Sequence, residues 1–509
     1  MGISRIGMQS PPSIYMITGT DTGTNVWEIQ TMAPGPILSL SRFLLLLSPL
    51  FCSRLAAPYL HSVVDHVPGF EGPLPFYLET GYIGLGESED VQLFYYFVRS
   101  QNDPKNDPLM LWLAGGPGCS GFTALVYQIG PVSFKTEYSG GLPTLFFNPN
   151  SWTKASSIIF IDSPVGTGFS YPRTPAAAYS SDSFAASQLN EFSRKWLKDH
   201  PEFISNTFYV GGDSYSGFIV PPTFLKILEG NDEGMQPTVN LEGYLLGNPA
   251  TDPFIDLNYA IPFAHGMALI SDELYESMRK NCKENYVIID PNNKLCLEDM
   301  KTFNTCIEGI YTYQILEPTC SVASPQPSEF FGNRRSLNSI ELPHPTGIPS
   351  QQHCRDDEYL LCKYFLNNIT VQEALYIQKG TIRIWERCNR EIKSTSNLYK
   401  HDIPSSIHYH ANISKRGYKS LIYSGDHDMV VPFISTEHWI KSLSYSIIDD
   451  WRSWKYLDST AGHQIAGYTR TYSNRMSFAT VKGAGHTTAE YKPEACFEMF
   501  KRWISNKPL

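Results

Sequence analysis

The chain has no excess of basic residues, no closely spaced pair of cysteines, no internal repeat and no apolar run long enough to span a bilayer. Lys and Arg number 40 against 50 Asp and Glu in 509 residues, a formal net charge of −10, and no basic stripe is interleaved with aromatics. That balance excludes the electrostatic footprint of a nucleic-acid partner. No two of the ten cysteines are separated by two residues, so a zinc knuckle is excluded and disulfides are favoured over metal. The glycine clusters lack the spacing and the following ribose-binding acid of a dinucleotide loop. No cofactor, no metal and no membrane anchor are expected.

What is present is core-forming material. A hydrophobic share of 42% with 13% aromatics excludes general disorder. The length allows two or three domains, or one α/β domain carrying a long insertion. Ile37 to Cys52 is apolar apart from Pro, Ser and Arg42, about the size of a signal-peptide core, and Ala56-Ala57 suits a cleavage site. Because a signal should open the chain, Met32 is the expected start, residues 1–31 an upstream extension and residues 32–57 the signal peptide. Ten cysteines and the sequons at Asn368 and Asn412 agree with secretory passage to the vacuole or the extracellular space.

From Phe76 onward, strands alternate with loops and helices, as in an α/β fold. Leu109–Leu113 and Ser157–Ile161 are almost wholly apolar, the mark of strands covered on both faces. Ser183–His200 has near-helical apolar spacing and stops at Pro201. After the strand Leu241–Gly247 the composition turns to Cys, Asn, Pro and charge. Residues 251–364 are therefore expected to be an inserted cap, with 58–250 and 365–509 as the α/β core. Within the cap, 324–352 is rich in Pro and Ser and carries Arg334-Arg335, an exposed loop that could be cut to give a two-chain form.

Three strand ends carry chemistry. Gly212-Asp213-Ser214-Tyr215-Ser216-Gly217 sits between apolar runs, where a strand can turn sharply into a helix and hold a nucleophile out. The match is imperfect, because the strict pattern puts glycine at position 216. Downstream strands end at Gly425-Asp426-His427-Asp428 and at Gly483-Ala484-Gly485-His486. Serine, acid and histidine in that chain order suit an α/β-hydrolase triad: a serine hydroxyl is a weak nucleophile, a histidine must take its proton, and an acid must hold the imidazole tautomer. His427 and His463 are expected at the surface or in packing. Gly115-Gly116-Pro117-Gly118 lets backbone N–H groups approach a ligand, as an oxyanion hole requires.

Taken together, Trp112 to Ser120, Ile161 to Tyr171, Gly212 to Gly217, Ser424 to Asp428 and Gly485-His486-Thr487 resemble the serine carboxypeptidase family over nearly everything from Val67 to Leu509. The resemblance implies an α/β-hydrolase fold with a disulfide-rich cap. It implies Ser214 as nucleophile, His486 as base and Asp428, rather than Asp426, as acid, with the N–H groups of Gly116 and Tyr215 as oxyanion donors. It further implies a bond between Cys119 and a distant cap cysteine, for which Cys354 is the expected partner. Cys282, Cys296, Cys306 and Cys320 would form two more, in any of three pairings.

The family's peptidases recognise a C-terminal carboxylate with an Asn before the paired glycines and two glutamates, one directly before the nucleophile. Here Ala114 precedes Gly115, Asp213 precedes Ser214, and Gln128 falls near the other glutamate across a one-residue gap. Losing one such donor would cost on the order of 2–4 kcal/mol. The same departures, with Pro68 to Phe76, Glu79 to Gly84 and Ile465 to Asn474, are similar to the plant acyltransferase branch. That branch implies transfer of an acyl group from a 1-O-acyl-β-glucose to an acceptor hydroxyl. A carboxypeptidase of altered specificity and a non-catalytic binding protein are the other readings.

Overall fold

The backbone is organised by eleven strands, of which the central ones point their apolar residues alternately to two cores. In the computed structural model, which describes residues 61–138, 140–319, 355–394 and 397–509, these strands form one mixed sheet. They are β1 His61–Val63, β2 Leu78–Leu85, β3 Val91–Val98, β4 Leu109–Leu113, β5 Ser157–Ile161 and β6 Phe208–Asp213. β7 Leu241–Gly247, β8 Lys419–Gly425, β9 Ile447–Asp458, β10 Gly462–Tyr472 and β11 Met476–Val481 complete the set. The spatial order is β1-β2-β3-β5-β4-β6-β7-β8-β11-β10-β9, and the short segment Tyr171–Pro172 pairs with β3. From β5 to β11 every neighbour is parallel, whereas the strands outside that run pair antiparallel.

The apolar run of β4 shows why the sheet must be covered twice. Met110 and Trp112 enter one core with Trp152, Phe500 and Trp503, while Leu109, Leu111 and Leu113 enter the other with Phe192, Trp196 and Phe224. The helix Pro493–Ile504 covers the first face; Asp182–Asp199 and Val220–Asp232 cover the second. Asp182–Asp199 begins where Ser181 accepts the Phe184 N–H at 3.2 Å and ends just before Pro201. A mixed sheet with a parallel central run, set between two helical layers, is the expected α/β architecture.

Between β7 and β8 the chain leaves the sheet. The helices Pro253–Asn258, Ala260–Gly266, Asp272–Cys282 and Lys294–Ile307 enclose a small core of their own around Phe263, Met278 and Phe303. The next helix, Arg355–Leu366, sends Leu361 and Phe365 into the first core. The signal region and the loop 324–352 lie outside the described residues, as do Cys320 and Cys354. None of the described helices is long and apolar enough to cross a membrane.

The antiparallel hairpin β9–β10 does not stand out in the sequence. Its pairing is interrupted by register shifts at three places and much of its surface is exposed, so no clean alternation is written into it.

β8 and the turn after β11 meet with no space for a side chain. A Cβ on Gly425 would lie 2.3 Å from the Gly485 carbonyl oxygen and 2.5 Å from that of Ala484. Gly425→Ala should therefore destabilise the protein by about 3 kcal/mol or prevent its folding, as read by urea unfolding.

Candidate active site

Ser214 stands where β6 ends and a short 3-10 turn, Ser214–Phe218, leads into the helix Val220–Asp232. Its φ is +57°, a region that residues with a Cβ rarely occupy. Two contacts hold it there. The Ser214 carbonyl accepts the Ala250 N–H at 2.9 Å, and Gly115 packs so closely that a Cβ on it would lie 2.5 Å from the Ser214 Cβ. Ser216, the departure from the strict glycine pattern, has its own task. Its hydroxyl donates to the Leu113 carbonyl at 3.1 Å and ties the turn to the end of β4.

The three strand ends converge as the chain order implied. His486 Nε2 lies 2.7 Å from Ser214 Oγ, and Nδ1 lies 2.7 Å from Asp428 Oδ2. With Nδ1–H donating to the acid, Nε2 is left to accept the serine proton. Asp428 is fully buried and its carboxylate also accepts Asn248 Nδ2 at 2.8 Å and the N–H groups of Val430 and Val431 at 2.8 and 3.2 Å. Asp426 faces elsewhere. It accepts the Gly483 N–H at 2.7 Å and meets His427 at 2.6 Å, so it braces the loop that carries His486. His463 is exposed on β10.

The interrupted part of the chain contributes directly to this geometry. The His486 N–H donates to the Tyr313 carbonyl at 2.7 Å, and the Tyr313 ring stands edge-on to the imidazole at 5.2 Å. Burial would lower the His486 pKa, but the charges of Asp428 and Asp213 and the Asp428 hydrogen bond carry it above its ordinary value.

Gly116, at φ +120°, follows Gly115 in the loop that abuts Ser214, and Tyr215 opens the turn after the serine. The cavity there is walled by Ala114, Gly118, Pro164, Ile219, Tyr215 and Tyr399. Asp182, buried, accepts both tyrosine hydroxyls at 2.8 Å and the Ile403 N–H at 3.1 Å, which fixes that wall. Asp162, also buried, joins the two glycine-rich loops by accepting Ser120 Oγ at 2.6 Å, the Gly121 N–H at 2.9 Å and the Phe169 N–H at 2.8 Å. Asn248, Asp182 and Tyr313 carry no motif and were not among the sequence candidates.

The cysteine expectation is corrected in one place. Cys119 is bonded to Cys388, not to Cys354. The reason is local. Ser120 N–H donates to the Arg387 carbonyl, Asn389 N–H to the Gly118 carbonyl and Asn389 Nδ2 to that of Gly166, which lays 387–389 against the glycine-rich loop that carries Cys119. Cys282 and Cys296 are bonded, and Cys306 is exposed without a partner among the described residues.

Asp213 and Gln128 prove to be partners. Gln128 Nε2 donates to Asp213 Oδ2 at 2.9 Å, and the Gly115 N–H donates to Oδ1 at 3.1 Å. Both side chains are 6% exposed. Burial pushes the Asp213 pKa up to about 6, against the opposing pull of His486, Gln128 and Gly115.

A strained serine turn of this kind, at the end of a parallel run in the centre of a mixed sheet between helical layers, defines the α/β-hydrolase class. Within that class, a family model for serine carboxypeptidases matches residues 68–506, and the chain belongs to that family. It is 51% identical to serine carboxypeptidase-like 2 of Arabidopsis thaliana over 471 residues, covering 92% of this chain and 98% of the relative. It is 49% identical to serine carboxypeptidase-like 17 of the same plant, covering 88% and 94%. Among solved structures, a prohormone-processing carboxypeptidase from Saccharomyces cerevisiae shares the fold with a TM-score of 0.68 at 20% identity, covering 87% of this chain and 95% of that one.

Asp213 holds its proton more tightly in the folded state than in the unfolded chain. Between its ordinary pKa of 3.8 and about 6, folding therefore takes up a proton, and stability falls as pH rises through that window. Asp213→Asn removes this term. Its stability relative to the parent should climb by about 2 kcal/mol from pH 4 to pH 6, read by urea unfolding at each pH.

Proposed function

We propose that the protein is an acyltransferase that takes a hydroxycinnamoyl or similar acyl group from a 1-O-acyl-β-glucose, holds it on Ser214, and passes it to an acceptor hydroxyl. The observation that carries this reading is the Ala114–Asp213–Gln128 arrangement. Where a peptidase needs donors for a free carboxylate, Ala114 offers a methyl group, and both oxygens of Asp213 already accept hydrogen bonds from Gly115 and Gln128. A substrate carboxylate brought there would meet a carboxyl group instead of a free donor, an arrangement that costs on the order of 2–4 kcal/mol.

In the first half-reaction His486 Nε2 takes the Ser214 proton as Oγ attacks the acyl carbonyl. The carbonyl oxygen becomes an oxyanion, received by the N–H groups of Gly116 and Tyr215. The tetrahedral intermediate collapses, and glucose leaves through its anomeric oxygen with the proton from His486. In the second half the acceptor hydroxyl gives its proton to His486 and attacks the acyl-enzyme; collapse returns that proton to Ser214. Asp428, held by Asn248 and two backbone N–H groups, keeps the imidazole oriented throughout.

Peptide hydrolysis is the second reading, favoured by the triad's compatibility with either leaving group. For the cellular setting, we propose the secretory route, on the apolar run Ile37 to Cys52, the disulfides and the sequons; Asn412 is exposed and Asn368 half-buried. Cleavage within 324–352 belongs to the same proposal.

The purified protein, given a 1-O-sinapoyl-glucose-type donor with a panel of alcohols, should form the acylated alcohol and release glucose, and should leave a blocked dipeptide intact. Efficient dipeptide cleavage without transfer would overturn the reading. Ser214→Ala should lower either activity by at least about 10⁴-fold. Ala114→Asn combined with Asp213→Glu should raise peptide hydrolysis, measured against the same dipeptide.

A further inference from the structure

At the far edge of the sheet a second set of titratable groups meets, unconnected with the triad. Glu79 on β2 and His200, just after the helix Asp182–Asp199, are only 2% and 4% exposed. The His200 ring stacks on Trp196 at 3.9 Å, and its Nδ1 lies 2.9 Å from the Trp196 carbonyl oxygen, which must accept from an N–H. That bond fixes the tautomer and turns Nε2 toward Glu79 Oε1 at 3.0 Å. In the neutral ring both atoms are acceptors, so a positive charge has to sit between them. A proton on Nε2 can supply it. The third member of the cluster has no part in such a proton bridge: His61, exposed on β1, brings a ring nitrogen within 4.8 Å of the other two ligand atoms.

We propose that His61, Glu79 and His200 form a zinc site that pins β1 to the sheet, with a water at the solvent-facing fourth position. The dimensions suit it. Two ligands at about 2.0–2.1 Å from zinc, near the tetrahedral angle, stand about 3.3 Å apart, close to the Nε2–Oε1 separation. Donation of Nδ1–H to a backbone carbonyl is the support that metal-binding histidines usually have. The hydroxyls of Tyr95 and Tyr77 donate to the Glu79 carboxylate at 2.7 and 2.8 Å and orient it. Asp199 and Glu202 add negative charge nearby, the latter partly countered by Arg99 at 3.5 Å. Zinc entering the site displaces the proton on Nε2, one proton released per ion bound. The ligands come from three separate segments, which is why cysteine and histidine spacing in the sequence does not announce them.

The full chain, made without a polyhistidine tag and stripped with a chelator, is titrated with zinc chloride by calorimetry and in thermal unfolding. One zinc per chain is expected, at micromolar or lower concentration, with a raised unfolding midpoint. His61→Ala leaves the buried pair intact and should weaken binding by at least about 10-fold and remove the shift in midpoint. His463→Ala, at an exposed histidine elsewhere, should bind as the parent does. No binding up to about 100 µM zinc, or binding that survives His61→Ala, would overturn the proposal.

Discussion

The site is set out from one strained residue. Ser214 holds a backbone conformation that costs about 1–3 kcal/mol, and the fold must keep it there. It does so by making the alternative impossible to reach locally. β6 is hydrogen-bonded along its length to β4 on one side and β7 on the other, so the chain arrives at Ser214 in a fixed direction. On the far side Ala250 holds the serine carbonyl, and Gly115 fills the space into which the turn would relax. The strain is carried by rigid neighbours on three sides, and the hydroxyl is thereby aimed at His486 without a hydrogen bond of its own to the sheet.

The acid and the base are related by a similar economy of space. Gly425 and the Ala484-Gly485 turn touch through backbone alone, which lets the loops beyond β8 and β11 bring Asp428 and His486 together. Asn248 bridges this pair of loops to the end of β7, donating to Asp428 while its own oxygen accepts the Gly425 N–H at 3.3 Å. The long excursion between β7 and β8 then closes on the same point, since Tyr313 carries the hydrogen bond that sets the His486 backbone. Core and excursion are thus not separable into machinery and cover.

Much of this was legible in the sequence, and the reasons are specific. β4 is a continuous apolar run ending in a glycine-rich loop, and β6 and β8 carry short apolar runs that lead into glycine-containing turns, so both the strands and the chemistry at their ends were visible. The order of serine, acid and histidine pointed to three side chains that the fold brings into contact, and the geometry separates Asp428 from Asp426 by what each carboxylate touches. Gln128 falls near the family's other glutamate only across a gap in the sequence, and its 2.9 Å hydrogen bond to Asp213 is a contact that the spacing does not announce. The rest was not readable because it depends on approach in space. Cys388 reaches Cys119 through a 269-residue separation, along a segment held by hydrogen bonds to loop carbonyls that no spacing encodes. Asn248 and Asp182 are single polar residues, ordinary until their buried partners are seen.

The bond between Cys119 and Cys388 has a meaning for how the enzyme comes to maturity. It clasps the glycine-rich loop to a segment whose Ile392 side chain lies against Gly118. The same two stretches are also joined by the Ser120 N–H bond to the Arg387 carbonyl and by the Asn389 bonds to the Gly118 and Gly166 carbonyls. A cross-link spanning 269 residues acts mainly by restricting the unfolded chain, so the placing of this loop draws on an oxidising environment as well as on its hydrogen bonds.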